Sequence, residues 1–211
     1  MLKVYGTPVS RTSRTLWLCR ELGLDYEHVP VHYVDGGTQA PEFLAINPFG
    51  KIPAIDDDGF KLSESMAINL YLAKKHGSDL MPRDLEGEAQ VLQWSFWVVA
   101  EVERPLVQAL LQRMDLPPDN PIARFFAARQ PKDPKVEQAA LEALVRPFKT
   151  LDEHLAGREY LLGAKFTLAD LNVASVMNWV IMAKIDLTPY PNLQGWLERC
   201  LARPAAKPPK K

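Results

Sequence analysis

Leu2 and Val4 alternate with Lys3 and Tyr5 at the start of the chain, the two-residue period of a strand with one buried face. Over residues 13–22 the period lengthens to that of a helix, with Leu16, Cys19 and Leu22 on one side and Gly23 placed to end it. Residues 26–31 read as a second strand and residues 41–45 as a short helix. Pro53-Ala54-Ile55 and Phe60-Lys61-Leu62 flank Asp56-Asp57-Asp58-Gly59, a turn that joins two strands as a hairpin. Ser63 then stands as the cap of a helix reaching His76, with Met66, Leu70 and Ala73 facing inward and Gly77 at its end. The order predicted over residues 1–77 is β-α-β-α-β-β-α, a compact α/β unit.

Residues 78–84 are short, polar and contain one proline, which marks a linker. Residues 85–211 are helical in pattern, so the fold class is an α/β domain followed by an all-α domain. One long helix is predicted over residues 85–114, bent at Pro105. Residues 116–134 are proline-rich and read as irregular. Helical spacing returns over residues 135–156, interrupted near Pro147 and closed by Gly157. Thr167-Leu168-Ala169-Asp170 is a capping box with Asp in place of Glu, opening an apolar helix that reaches Ala183. Pro191 precedes a last helix holding Trp196 and Leu197. The tail over residues 204–211, with three prolines and three lysines, is expected to fray.

Composition narrows the function classes. The 25 Lys+Arg and 26 Asp+Glu of this 211-residue chain balance too closely for a polyanion binder, so nucleic acid is not an expected partner. No apolar run exceeds the five residues from Phe96 to Ala100, against about 18 for a membrane span, so no membrane is expected either. The alternation at the start leaves no apolar core for a secretory leader. Cys19 and Cys200 stand far apart in no metal or C-x-x-C spacing, with only four scattered histidines. No metal site and no disulfide are expected, and a reducing, cytoplasmic location fits.

Three stretches could carry chemistry. Gly6-Thr7-Pro8-Val9-Ser10-Arg11-Thr12-Ser13-Arg14 joins a strand to a helix, where backbone N–H groups and the positive helix end suit an anion. The ordinary role of Ser10, Thr12 and Ser13 there is helix capping. In Asn47-Pro48-Phe49-Gly50-Lys51-Ile52-Pro53-Ala54-Ile55, a proline just before a short strand would leave the backbone of Ile52 for an extended peptide, although Asn-Pro and Phe-Gly are also common loop pairs. Leu62-Ser63-Glu64-Ser65-Met66 crowds a carboxylate and two hydroxyls onto a helix start. An acid there ordinarily only complements the dipole, at about 0.3–1 kcal/mol.

The order and spacing of these stretches resemble the glutathione S-transferase family over nearly the whole chain. Ser10 with Arg14, residues 47–54, and Leu62-Ser63-Glu64-Ser65-Met66-Ala67-Ile68 carry the likeness. Phe166-Thr167-Leu168-Ala169-Asp170 and the ending Pro191, Trp196, Arg203-Pro204-Ala205 extend it into the helical half. The resemblance implies a thioredoxin-like N-terminal domain that binds glutathione, an all-helical C-terminal domain, and a homodimer, with glutathione as co-substrate and no resident cofactor. It sets Ser10 where the serine-type classes (phi, theta and delta) carry their catalytic hydroxyl. Pro53 matches the family's cis-proline, and Ile52 the residue whose backbone meets the cysteinyl part of glutathione. Glu64 and Ser65 match the pair at the γ-glutamyl end, and Lys51 and Gln39 the glycine end. The phi class often has His-Lys where this chain has Thr38-Gln39. Tyr5 is the alternative that the tyrosine-type classes would use, at a spacing to Arg14 that fits them less well.

A thiol with pKa near 8.5 needs about 2.7 kcal/mol of preferential anion binding to fall by two units. One hydroxyl donor supplies about 1.5–3 kcal/mol and a helix N-terminus up to about 1, so Ser10 serves as a donor to sulfur and not as a nucleophile. Ser10-Arg11-Thr12-Ser13 stands where redox relatives keep Cys-x-x-Cys, which excludes protein-thiol redox chemistry. The electrophile is expected between the domains, against Leu106, Leu110, Leu111 and Met114, with Trp179 a lesser candidate; each is equally a core residue by pattern. Trp94, Phe96 and Trp97 read as packing or subunit contacts. The expected activity is transfer of the glutathione thiolate to small apolar electrophiles. A glutathione-dependent peroxidase or disulfide reductase, with Thr12 as a second donor, and a non-catalytic binding module are the alternatives. The natural electrophile, the class, whether Thr12 or Tyr5 assists or replaces Ser10, and the role of residues 116–134 stay open.

Overall fold

The computed structural model describes residues 1–128 and 131–208. The chain divides into two units, Met1–Arg83 with the C-terminal segment from Arg203, and Asp84–Ala202.

In the first unit, β1 (Leu2–Tyr5) pairs in parallel with β2 (Tyr26–Val29) on one side and antiparallel with β3 (Ala54–Asp57) on the other. β4 (Phe60–Ser63) pairs antiparallel with β3, giving the order β2-β1-β3-β4. The alternation of β1 decides which face is covered. Leu2 and Val4 are buried with Leu16, Leu18 and Cys19 of α1 (Thr12–Glu21) and Ile68, Leu72 and Ala73 of α3 (Ser65–Lys75). Tyr5, on the opposite face, packs its ring 6.2 Å from Phe43 of the short α2 (Pro41–Leu44). The hairpin turn is tighter than expected: Asp58 and Gly59 alone connect β3 and β4, both at positive φ as a two-residue turn of this hand requires.

The start of α3 differs from the expectation. Ser63 ends β4, and Glu64, not Ser63, is the cap residue, at φ 70°. The inward stripe is consequently Ser65, Ile68, Leu72 and Ala73, while Met66 and Leu70 are only half-buried. The tail also departs from expectation as far as residue 208. Pro204–Ala206 forms a 3-10 turn on α1, held by Arg20 Nε donating to the Ala205 carbonyl at 2.7 Å and by Arg203 donating twice to Glu21, each at 2.7 Å. Residues 209–211 of the tail lie outside the described residues.

The second unit consists of α4 (Leu85–Trp97), α5 (Arg104–Arg113), α6 (Pro121–Ala127), α7 (Pro134–Leu155), α8 (Leu168–Met182) and α9 (Pro191–Leu201). The single helix expected over residues 85–114 is broken by a wider π-helical stretch, Val98–Glu103, directly ahead of Pro105, whose missing N–H and bulky ring the looser turn accommodates. The segment expected to be irregular contains α6, capped by Asn120 accepting from the Ile122 N–H at 2.9 Å with Pro121 in the first turn. α7 runs unbroken through Pro147, which is buried within it. α8, apolar on every side, packs against α4, α5 and α9. Asp170 in its first turn is fully enclosed and accepts from Thr167 N–H, Thr167 Oγ1, Leu161 N–H and Trp196 Nε1 at 2.8–2.9 Å. Among the described residues no helix is long and apolar enough to cross a membrane.

Candidate functional site

The sheet register brings the three candidate stretches together. Tyr5, the last residue of β1, lies opposite Ala54, the first of β3, and Ala54 lies opposite Ser63, the last of β4. Gly6, Pro53 and Glu64 therefore continue from one end of the sheet. A Cβ on Gly6 would stand 3.1 Å from the Ile52 Cβ, which fixes how closely the first two stretches approach.

Beyond β1, Gly6 N–H extends the ladder to the Val29 carbonyl at 3.0 Å, and His28 Nε2 donates to the Gly6 carbonyl at 2.9 Å. The chain then turns so that Ser10 N–H meets the Thr7 carbonyl at 3.1 Å. The half-buried Ser10 Oγ lies 2.7 Å from that same carbonyl and 2.9 Å from Thr12 Oγ1, and accepts the Thr12 N–H at 3.1 Å. Ser10 thus does brace the helix start with its acceptor side, as capping predicts, yet retains one proton to donate. No acidic residue occupies the first turn of α1 to neutralise its positive end.

Arg14 links α1 to the start of α3. Arg14 is 1% exposed, and its guanidinium donates from Nη1 to Ser65 Oγ at 3.3 Å. Glu64 stands outside on a left-handed backbone, and α3 begins with neither a side-chain cap nor an acid in its first turn. A helix N-terminus above a buried cation suits a carboxylate, and the exposed Glu64 beside it suits an ammonium. The third stretch is braced from within: Asn47 Nδ2 donates to the Lys51 carbonyl at 2.6 Å and Asn47 Oδ1 accepts the Phe49 N–H at 3.2 Å. Gln39 Nε2 reaches the Gly50 carbonyl at 3.4 Å, so Gln39 and Lys51, both exposed, are neighbours. The Ile52–Pro53 peptide is cis.

Ser10, Gln39, Lys51, Ile52, Pro53, Glu64 and Ser65 all belong to the first unit. Leu106 and Leu110 share one face of α5 in the second, and Met114 follows at the end of that helix as its extended C-terminal cap. Leu106 is 0% exposed, whereas Leu110, Leu111 and Met114 are half-buried, so only the latter three offer surface to a ligand. Trp179 is half-buried on α8; Trp94 packs on Trp97 and on the His154 ring, and Phe96 is 68% exposed.

The alternatives fare differently. Burial raises the Tyr5 phenol pKa above its ordinary value, which makes it a weaker proton donor. Burial likewise pushes the Cys19 thiol up to about 12, and Cys200 is enclosed, so neither is a reactive thiolate. Sequence reasoning missed the bracing by Asn47 and the burial of Arg14 and Thr12; only the Asn-Pro pair gave a local signal, as a loop former.

The family model for the glutathione S-transferase N-terminal domain matches residues 1–74, and that for the C-terminal domain matches residues 119–204. Glutathione S-transferase 3 of Zea mays is 36% identical over 97% of this chain and 90% of its own. The crystal structure of glutathione transferase F7 from Populus trichocarpa superposes with a TM-score of 0.85 at 30% identity, covering 98% of this chain and 96% of that one. A glutathione transferase family member from Pseudomonas fluorescens, solved with two glutathione bound, gives a TM-score of 0.84 at 26% identity over 97% and 90% of the two chains. Matched in both halves and along almost its entire length, the chain belongs to the glutathione S-transferase family, whose fold and transferase character it shares.

Proposed function

We propose that the chain binds glutathione at the end of the first unit's sheet and uses the Ser10 hydroxyl to keep its sulfur ionised for attack on small apolar electrophiles. The observation that carries this is the setting of the Ser10 hydroxyl. Its oxygen lies 2.7 Å from the Thr7 carbonyl, which also accepts the Ser10 N–H, so turning the hydroxyl toward a thiolate leaves no carbonyl without a partner. That exchange costs little, while a hydroxyl donor to an anion contributes about 1.5–3 kcal/mol. Together with the positive end of α1, which carries no acid in its first turn, this reaches the requirement of about 2.7 kcal/mol for a two-unit drop in thiol pKa.

The remaining contacts follow from charge. The γ-glutamyl carboxylate pairs with Ser65 and the first N–H groups of α3 above Arg14, and its ammonium with Glu64. The backbone of Ile52 pairs with the cysteinyl unit ahead of Pro53, and Lys51 with Gln39 takes the glycine carboxylate. The thiolate then forms the new carbon–sulfur bond as the leaving group departs. The electrophile packs against Leu110 and Met114, with Leu106 supporting them from within. A cytoplasmic homodimer, with glutathione as co-substrate and no resident cofactor, completes the reading. Phe49 on the Asn47 loop, 72% exposed, and Phe96 on α4 are the aromatic surfaces a second copy would cover.

The test is titration of the ultraviolet thiolate band of bound glutathione. Ser10→Ala is expected to raise the midpoint by about one to two units, and a midpoint that stays put removes Ser10 from the chemistry. Glu64→Ala is expected to weaken retention on immobilised glutathione; unchanged retention removes the γ-glutamyl assignment. Rates with aryl halides, organic hydroperoxides and mixed disulfides then rank the electrophile classes.

A further inference from the structure

We propose that Thr12 is a positioning residue for Ser10: its hydroxyl and its backbone N–H hold the Ser10 oxygen from behind and turn the Ser10 proton outward. The inference rests on the reading of Ser10 as the donor to sulfur.

Thr12 is 0% exposed, so it cannot touch a bound tripeptide and acts only through another group. That group is Ser10, 2.9 Å away hydroxyl to hydroxyl and 3.1 Å from the Thr12 N–H. Ser10 has a single proton and two protein acceptors competing for it, Thr7 O at 2.7 Å and Thr12 Oγ1 at 2.9 Å. When that proton points to Thr7, or to a thiolate in its place, the contact with Thr12 is made by the Thr12 proton instead. The Ser10 oxygen then accepts twice, from Thr12 N–H and Thr12 Oγ1, and donates once. Two donors into one oxygen polarise its O–H bond, and chained hydrogen bonds strengthen one another in a site shielded from water. A Ser10 hydroxyl so held is a stronger donor to sulfur than a serine facing solvent.

The surroundings are shaped to keep Thr12 in this role. A Cβ on Gly6 would stand 2.0 Å from Thr12 Oγ1, so the absence of a side chain at residue 6 makes the space that the hydroxyl fills. The branched side chain of Thr12 has few alternative rotamers at the head of a helix, and the one it adopts sets the hydroxyl 2.9 Å from Ser10. Charged or titratable side chains carried by the elements around it include Lys3 and Tyr5 on β1, Arg11, Arg14, Arg20 and Glu21 on or beside α1, Tyr26, Glu27 and His28 on β2, Lys51 ahead of β3 with Asp56 and Asp57 on it, and Glu64 ahead of α3. None is altered by a substitution at residue 12, so a changed thiol titration reports the hydroxyl.

The experiment titrates the thiolate band of glutathione bound to the full chain in wild type, Thr12→Val, Thr12→Ser, Ser10→Ala and the double variant Ser10→Ala/Thr12→Val. Thr12→Val is expected to raise the midpoint by about half a unit to one unit. It should leave KM for glutathione within about twofold and lower kcat/KM for an aryl halide about two- to sixfold near pH 6.5, a deficit that closes above the shifted midpoint. Thr12→Ser should restore the wild-type midpoint, and the double variant should titrate like Ser10→Ala alone. If Ser10→Ala raises the midpoint and Thr12→Val does not, or if Thr12→Ser fails to restore it, the positioning role is overturned and the Ser10 reading stands. If the two shifts add in the double variant, Thr12 acts independently of Ser10 and the inference is again overturned. If Thr12→Val shifts the midpoint and Ser10→Ala does not, Thr12 is itself the donor, and the Ser10 reading falls with the positioning role.

Discussion

Asp170 offers the sharpest energetic test of the fold. Its carboxylate is fully enclosed and is the common acceptor for Leu161 N–H at 2.8 Å and for Trp196 Nε1, Thr167 N–H and Thr167 Oγ1 at 2.9 Å each. Four bonds to a charged acceptor would total about 6–12 kcal/mol at 1.5–3 each, but burying a carboxylate costs several kcal/mol. Burial is the stronger influence on the group itself: its pKa stands above the ordinary value despite the four donors. The net stabilisation is therefore well below the sum. Asp170→Asn keeps an oxygen for Leu161 and Trp196 but turns an NH2 toward the Thr167 N–H. The Thr167 hydroxyl can rotate to accept, whereas the backbone N–H cannot, so about 2 kcal/mol is lost for one stranded buried donor. Asp170→Ala strands every donor and is expected to cost about 4–5 kcal/mol. Trp196→Phe removes one bond and should cost about 1–2 kcal/mol. Urea unfolding followed by far-ultraviolet circular dichroism gives the three values, and amide exchange at Leu161 locates the loss. An Asp170→Asn variant within about 0.5 kcal/mol of wild type would refute the reasoning, because bonds and desolvation would then cancel.

Two further substitutions test the first unit. Asp57 is enclosed beneath Lys75 and Tyr71; burial pushes its carboxyl up, and the Lys75 ammonium with the Tyr71 hydroxyl more than reverses this, leaving it below the ordinary value. A carboxyl lowered by folding stabilises fully above the unfolded value of about 3.9, and that stabilisation is lost as pH falls through the lowered folded value. Lys75→Met should therefore lower Tm at pH 7, with the gap to wild type closing in acid below about pH 4; a gap independent of pH would rule this out. Arg203 donates twice to the half-buried Glu21, which also accepts from Trp17 Nε1 at 2.9 Å. Arg203→Gln should cost about 1 kcal/mol and speed amide exchange at Ala206 and Lys207; exchange at the wild-type rate would mean that the clasp does not hold the tail.

What the sequence made legible, and what it hid, divides by the range of the interaction. The alternation at Leu2 and Val4, Gly23 after α1, and the Asp58-Gly59 turn are each dictated by neighbouring residues, and each element formed where its local signal stood. Asn120-Pro121 carried an equally local helix-start signal, outweighed in the reading by the prolines around it. The π-helical stretch Val98–Glu103 had no such signal, because its apolar residues fit a regular helix as well as a wider turn, and only Pro105 downstream separates the two. The cap of α3 moved from Ser63 to Glu64 because pairing of Ser63 with Ala54 holds Ser63 in the sheet, a constraint set by another strand. The candidate site lies at the extreme of this scale. Thr12 reads locally as a capping residue and Arg14 carries no local sign of burial, yet Arg14 is buried against Ser65 and Thr12 against Gly6 and Ser10. The partner of Arg14 arrives through the register Tyr5–Ala54–Ser63, which no window of neighbouring residues contains, whereas those of Thr12 lie in its own turn and meet it only once that turn is folded. Likeness to a family supplied the identities of the site residues, and the register supplies the reason that a turn, a loop and a helix start converge into one site.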